Sequence, residues 1–291
     1  MSETGTSSDA CPYCGARALR RTHTGLYHRL KRDHGPFDFY ECGTCGSGTT
    51  CPLPSDEALR ALYASFNEGL PAEMRDAMAG GEAWHATCVR RIGRLRGVSS
   101  DSRFTWLEIG AGAGEMACQM ARAYPQATGR AADLHERPRS LPSQVSWLQV
   151  DLNGDTLALG EPADVVYATG VWEHVRRPDV FVDNLVRMLS KGGLLYLMCP
   201  NYASLARRLL DTRWPYFTPG EHLTMPSPRG AEACIRRAFS ERPARIVSRP
   251  FWLTYSIRYT ALRFGLPGAR WMPAGWRLPM PVGALESVAL T

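Results

Sequence analysis

The sequence predicts an α/β fold, a mostly parallel sheet covered by helices, with a small cysteine-rich module in front of it. Three observations predict this. Residues 104–291 alternate strand-like and helix-like stretches. A glycine-rich turn, Gly110-Ala-Gly112-Ala-Gly114, joins an apolar strand to a helix. Two identical C-x-x-C-G units stand near the N-terminus.

At 291 residues the chain has room for about two domains. It is 44% hydrophobic and 21% charged, which supports a sizeable core and excludes a disordered chain, a fibrous repeat or a small stapled scaffold. No apolar run approaches the roughly 18 residues of a membrane span. The first ten residues, MSETGTSSDA, read as a disordered polar tail without the apolar core of a signal peptide, so the expected compartment is cytoplasmic.

Four regions follow in order: the tail over 1–10, a cysteine module over 11–54, a helical linker or cap over 55–98, and a large domain over 99–291. In the linker, Ser55 with Asp56 and Glu57 resembles a helix N-terminus, and Leu59, Leu62, Tyr63 and Phe66 share one face. Ala79-Gly80-Gly81 breaks the pattern before a second helix from about Glu82 to Leu95. Strands are expected at 104–109, 127–134, 145–150, 163–168, 194–199, 244–248 and 285–290, and helices at 115–123, 178–189, 202–210 and 228–239. Pro178 suits the first helical position, and Lys191-Gly-Gly193 suits a turn after the helix and before the strongest strand.

The net charge is +6, carried almost wholly by arginine. Between Arg229 and Arg277 ten Arg face only Glu232 and Glu241. Such a balance fits nucleic acid, a membrane surface or an anionic substrate, and equally an arginine-rich composition with no partner at all.

In Cys11-Pro-Tyr-Cys14-Gly and Cys42-Gly-Thr-Cys45-Gly, two thiolates three positions apart can reach one tetrahedral ion, and four close a structural Zn²⁺ site. A long loop carrying His23, His28 and His34 must bulge between the pairs, and Cys51 or a histidine could replace one ligand. A redox C-x-x-C pair is the alternative. A closed four-cysteine site has no open position, so it is not expected to be catalytic.

The glycine turn admits two readings. Gly112-x-Gly114-x-x-Ala117 matches a dinucleotide fingerprint, but Glu115 would then repel the pyrophosphate. Glu108 ahead of Gly110, Gly112 and Gly114 instead suits a cationic ligand without phosphate.

These residues resemble class I S-adenosylmethionine (SAM) dependent methyltransferases, whose first motif is an acidic residue, a hydrophobic one and G-x-G-x-G. The resemblance implies a Rossmann-like, doubly wound, seven-stranded sheet with one antiparallel strand. It also implies cofactor contacts: Asp133 on the ribose, Asp151 and Leu152 at the adenine, and Ala168, Thr169 and Gly170 along the methionine part. Val171-Trp-Glu173-His174-Val-Arg-Arg-Pro178-Asp179, Lys191-Gly-Gly193 before Pro200-Asn201, and Glu221-His222-Leu223 are similar to motifs of the ubiquinone-methyltransferase-like subgroup. Some bacterial members of that subgroup carry an N-terminal zinc ribbon. Some relatives bind a divalent ion through carboxylates around the E-H motif. Here Gly170 stands three before Glu173, which leaves Glu173, His174 and His222 as an incomplete set, so no catalytic metal is expected.

Methyl transfer from a sulfonium is an in-line displacement, so the protein positions the reactants and removes a proton where the nucleophile carries one. His222 is the first candidate for that base and His174 the second, since imidazole titrates near neutrality. In the family, insertions at about 201–227 and 251–280 form a substrate roof. Here they carry Leu205, Leu209, Trp214, Tyr216 and Phe217, then Trp252, Tyr255, Tyr259, Phe264, Trp271 and Trp276 amid Arg. Aromatics with Arg suit an apolar acceptor with an anionic group, carrier-bound or lipid, and a peripheral membrane contact is a further option. They equally suit ordinary core with snorkelling Arg.

The expected function is methyl transfer from SAM to a small-molecule acceptor in a biosynthetic or secondary-metabolite pathway, with oxygen ahead of nitrogen and carbon. The alternatives are an RNA methyltransferase using the zinc ribbon, or a non-enzymatic docking protein on a methyltransferase scaffold. No Asn/Asp-Pro-Pro-aromatic motif of base methylation follows the fourth strand, and the intact Glu108, glycines and Asp133 argue against loss of the cofactor.

Overall fold

The computed structural model describes residues 10–28, 33–64, 82–263, 266–273 and 275–291. The expected tail over 1–9, Phe66, the Ala79-Gly80-Gly81 break and Phe264 lie outside the described residues.

The N-terminal module is a hairpin with a third strand. β1 (Leu19–Leu26) pairs with β2 (Phe37–Cys42), and β2 with β3 (Gly48–Cys51), all antiparallel. One cysteine pair precedes β1 and the other begins at the end of β2, so the four sulfurs meet at one end of the hairpin. α1 (Asp56–Ala64) follows, with the Ser55 hydroxyl accepting the Ala58 N–H at 3.1 Å as the cap pattern predicts. α2 (Glu82–Arg96) buries Cys88, Val89 and Ile92.

The large sheet contains β4 (Thr105–Ile109), β5 (Thr128–Asp133), β6 (Val145–Gln149), β7 (Ala163–Thr169), β8 (Leu189–Pro200), β10 (Arg245–Ser256) and β11 (Arg277–Leu290). Its order is β10-β11-β8-β7-β4-β5-β6. β8, β7, β4, β5 and β6 run parallel, and β11 is antiparallel to both its neighbours. The seven strands and the antiparallel one are those the resemblance implied. The remaining short strand, β9 (Thr224–Met225), leaves the large domain and pairs with β3, becoming the fourth strand of the module's sheet.

Alternation along the strands divides the core. Leu107, Ile109, Val166, Ala168, Leu195 and Leu197 face α4 (Pro178–Arg187) and α6 (Pro228–Ala238). Trp106, Val165, Tyr167, Leu194 and Tyr196 face α2 and α3 (Glu115–Ala123). Each fully buried Leu, Ile or Val among them contributes about 1.5–3 kcal/mol. α5 (Leu205–Leu210) and α7 (Ile257–Arg263) stand outside these two layers.

Two expectations need correcting. Lys191-Gly192-Gly193 is not a turn after the helix. α4 ends at Arg187 and β8 has already begun at Leu189. Ala163 pairs with Leu189 but Val165 with Leu194, so the glycines form a bulge inside the strand, with Gly192 at φ 75°. The last two strands are also longer than expected, because they pair with each other from Arg245–Leu290 to Ser256–Arg277.

Strand order reverses at β4, whose successor β5 lies on one side and β7 on the other. Such sheets bind ligands at this reversal, beyond the carboxyl ends of the strands.

Candidate active site

The glycine turn lies at that reversal. Gly110, Gly112 and Gly114 take φ of 70°, 51° and 75°, a region side chains rarely adopt. A Cβ on Gly110 would come within 2.3 Å of Val171, whereas one on Gly112 would meet open space. Gly110 therefore lets the turn close on the loop after β7, and Gly112 leaves room above it. Asp133, at the end of β5, accepts the Gly112 N–H at 2.8 Å with one oxygen. Its other oxygen accepts the His135 N–H at 3.0 Å. The carboxylate thus fixes the rim of the turn.

Glu108 lies beneath the turn, 3% exposed, and accepts the Tyr167 hydroxyl at 3.3 Å. Burial pushes its carboxyl up to about 8. Asp151 is exposed and accepts the Asn153 N–H at 2.9 Å, while Leu152 packs on the core edge. Ala168 is buried, and the Thr169 hydroxyl lies 3.6 Å from the Met116 sulfur. Open space, positive-φ glycines and a rim carboxylate are features a SAM molecule requires.

A second cluster begins just past Val171. Glu173 and His174 lie on one tight turn, Trp172–His174, and His222 joins them from a distant loop. Their donor atoms lie within 4.8 Å of one another. The imidazole rings of His174 and His222 meet edge to face at 4.8 Å. The His222 Nδ1 is 2.6 Å from the Tyr216 carbonyl and the His174 Nδ1 is 3.1 Å from the Glu221 carbonyl. A carbonyl only accepts, so each Nδ1 carries a proton, and in the neutral ring the lone pair falls on Nε2. Burial raises the Glu173 carboxyl to about 7, opposed by nearby His174, and its Oε2 has no partner among the described residues.

Sequence reasoning missed Tyr63 and His28. The Tyr63 hydroxyl on α1 is 3.3 Å from the His174 Nδ1. The His28 Nε2 in the β1–β2 loop is 2.8 Å from the Glu221 Oε2. His28 was legible only as one of three loop histidines, and Tyr63 as part of an apolar helix face.

The cysteines converge. Cys11–Cys45 and Cys14–Cys42 sulfurs are each 3.6 Å apart, and all four lie within 4.8 Å. Tetrahedral Zn–S bonds of about 2.3 Å imply S–S separations of about 3.8 Å, so the set fits a zinc ion. The Cys45 thiol is held down at about 5 by the Cys11 S–H against the effect of burial, with Ser47 assisting. The substitutes left open stand elsewhere. Cys51 pairs with Asp38, His23 bonds Asp211, and His28 and His34 reach residues 220–221.

Of the roof aromatics, Trp214 and Phe217 are buried against Phe39 of the module. Leu205, Leu209, Trp252, Trp271 and Trp276 are exposed.

Residues 75–238, over half the chain, match the methyltransferase-domain family. The chain belongs to that family. The chain is 28% identical over 155 residues to a trans-aconitate 2-methyltransferase of Azoarcus sp. (strain BH72), a match covering 52% of this chain and 56% of that protein. It thus spans about half the length of the curated relative. Its fold is that of solved SAM-dependent methyltransferases. One is the Burkholderia thailandensis 1,6-didemethyltoxoflavin-N1-methyltransferase with bound S-adenosylhomocysteine (TM-score 0.53, 12% identity, 86% of this chain and 96% of that one). Another is coclaurine N-methyltransferase bound to N-methylheliamine and S-adenosylhomocysteine (TM-score 0.52, 14% identity, 83% and 84%). Among the described residues no helix is long and apolar enough to cross a membrane.

Proposed function

We propose that this methyltransferase transfers a methyl group from SAM to an oxygen, hydroxyl or carboxylate, of a small-molecule acceptor. The observation that carries this is the open space at Gly112, rimmed by Asp133, in a turn whose Gly110 closes on Val171, just before the Glu173–His174–His222 cluster. Gly110, Gly112, Gly114 and Asp133 would hold the cofactor with Asp151, Leu152, Ala168 and Thr169, and Glu108 would ionise beneath its positive charge. When bound, SAM supplies an activated methyl group and a good leaving group.

The chain's own task is alignment, exclusion of water and, for a hydroxyl acceptor, removal of the proton. The Nε2 lone pairs of His222 and His174 are the groups able to take it. A carboxylate acceptor needs no base, and a family relative named for trans-aconitate, a tricarboxylate, favours carboxylate oxygen within this reading. The four cysteines hold a structural Zn²⁺ that takes no part in the chemistry.

Titration of the purified protein with SAM or S-adenosylhomocysteine in a calorimeter tests the reading, with binding near one equivalent expected. Asp133→Ala should weaken binding by about 10–100-fold, since it frees the Gly112 N–H and removes a charge-assisted acceptor. Folded protein that binds neither ligand overturns the proposal.

A further inference from the structure

The zinc module and the histidine cluster share one backbone segment, residues 220–223. On the module side, the His34 Nε2 donates to the Gly220 carbonyl at 3.2 Å, and Thr50 donates its hydroxyl to the His222 carbonyl at 3.0 Å and its N–H to the Leu223 carbonyl at 2.8 Å. The approach is close enough to require glycine. Gly220 sits at φ 82°, and a Cβ there would meet the Phe37 ring at 2.3 Å. On the other side, the Glu221 carbonyl accepts from the His174 Nδ1, and the Leu223 N–H donates to the Glu173 carbonyl at 2.8 Å.

The side chain of Glu221 points back into the module. Glu221 is 7% exposed and His28 2% exposed, and their atoms meet at 2.8 Å. A buried carboxylate without a donor is costly, so this contact decides whether the loop holds its shape. The charged and titratable groups around Glu221 are His28 from the β1–β2 loop, His174 and Glu173 from the turn after β7, its neighbour His222, and Tyr63 from α1.

We infer that His28 is a positioning residue of the active site: by holding Glu221 it fixes the backbone carbonyl that sets the His174 tautomer, so the zinc module forms a wall of the catalytic centre. The four-cysteine site then acts at a distance. It anchors both ends of the hairpin whose loop delivers His28. The activity part of this inference rests on the methyl-transfer reading, and its spectroscopic part does not.

The test uses the full-length, zinc-loaded protein with ¹⁵N-labelled histidine, comparing wild type, His28→Leu and His28→Gln. Long-range ¹H–¹⁵N spectra read the tautomers directly. Wild type should show single Nδ1–H forms for His174 and His222. His28→Leu should give mixed tautomers at His174, and His28→Gln, whose amide can donate to the same oxygen, should restore one. Transfer of a labelled methyl group to acceptors in cell extract should fall at least about tenfold in His28→Leu and return to within about threefold in His28→Gln, with S-adenosylhomocysteine affinity within about twofold.

Wild-type tautomers and transfer in zinc-loaded His28→Leu overturn the inference. If that variant does not fold, Glu221→Leu, which removes the acceptor, carries the test: it must produce the same mixed His174 signal, and an unaltered spectrum is equally fatal. Wild type that binds no SAM defeats the methyl-transfer reading while leaving the tautomer result to stand or fall alone.

Discussion

The glycine turn and the histidine cluster lie on either side of Val171, yet they are built differently. The turn comes mainly from one contiguous stretch, Glu108 to Glu115, whose shape follows from local backbone rules and one carboxylate across at Asp133. The cluster is assembled from segments far apart in the chain: His28, Tyr63, Glu173 with His174, and Glu221 with His222. A site of the first kind fails when its own residues change. A site of the second kind also fails when a distant anchor is lost, and here the anchor is the set of four cysteines.

The sharpest way to break the comparison is Cys14→Ser. Structural zinc contributes on the order of 10 kcal/mol in small zinc modules. The variant should lose most of its zinc by elemental analysis and melt at lower temperature, and the module's hold on residues 220–223 should loosen while the glycine turn stays intact. Full zinc retention would show that three thiolates suffice.

Gly110→Ala is the local counterpart. The left-handed backbone costs a side chain about 1–2 kcal/mol, and contact at 2.3 Å from Val171 adds an overpacking cost of about 1–3 kcal/mol. Urea unfolding should show a loss of about 2–5 kcal/mol together with loss of SAM binding, with zinc content unchanged. A stable variant that still binds SAM would remove the close approach from the account.

The two buried carboxyls of the cluster should tilt stability in opposite directions with pH. Glu173 is raised to about 7 from 4.5 by burial. Between those pH values the unfolded chain has released a proton that the folded state keeps, so its contribution is present below about 4.5 and is lost as pH rises toward 7. For Glu221, burial alone would push the carboxyl up, but the His28 hydrogen bond and the charges of His222 and His174 outweigh it and hold it at about 2. That contribution is present above about 4.5 and is lost as pH falls toward 2. Each difference amounts to about 3 kcal/mol at most. Unfolding curves from pH 3 to 7 should diverge from wild type toward high pH for Glu173→Gln, which gains stability there. For Glu221→Gln, which loses it, the gap should close at low pH. Parallel curves would show that neither carboxyl is held as described.

Much of this was legible in the sequence because it obeys local rules. Gly110 and Gly114 announce a turn only glycine can make, and the Ser55 cap and the α3 limits fall where the residue types put them. The two C-x-x-C-G units announce their convergence through ligand count and spacing. What local patterns misjudged was pairing. The Lys191–Gly193 bulge and the length of β10 and β11 depend on which strand lies alongside.

By itself, then, the sequence determined most strands of the sheet, the glycine turn and the two cysteine units. Each of these is specified by residues that are neighbours in the chain or that repeat with a fixed period. Only the tertiary structure decided that β9 completes the module's sheet, that Gly220 admits the Phe37 ring, and that His28 meets Glu221. Those contacts join residues with no periodic or spacing relation. They form because burial of a hydrogen-bonded pair and close backbone approach are energetically decided by the packed whole.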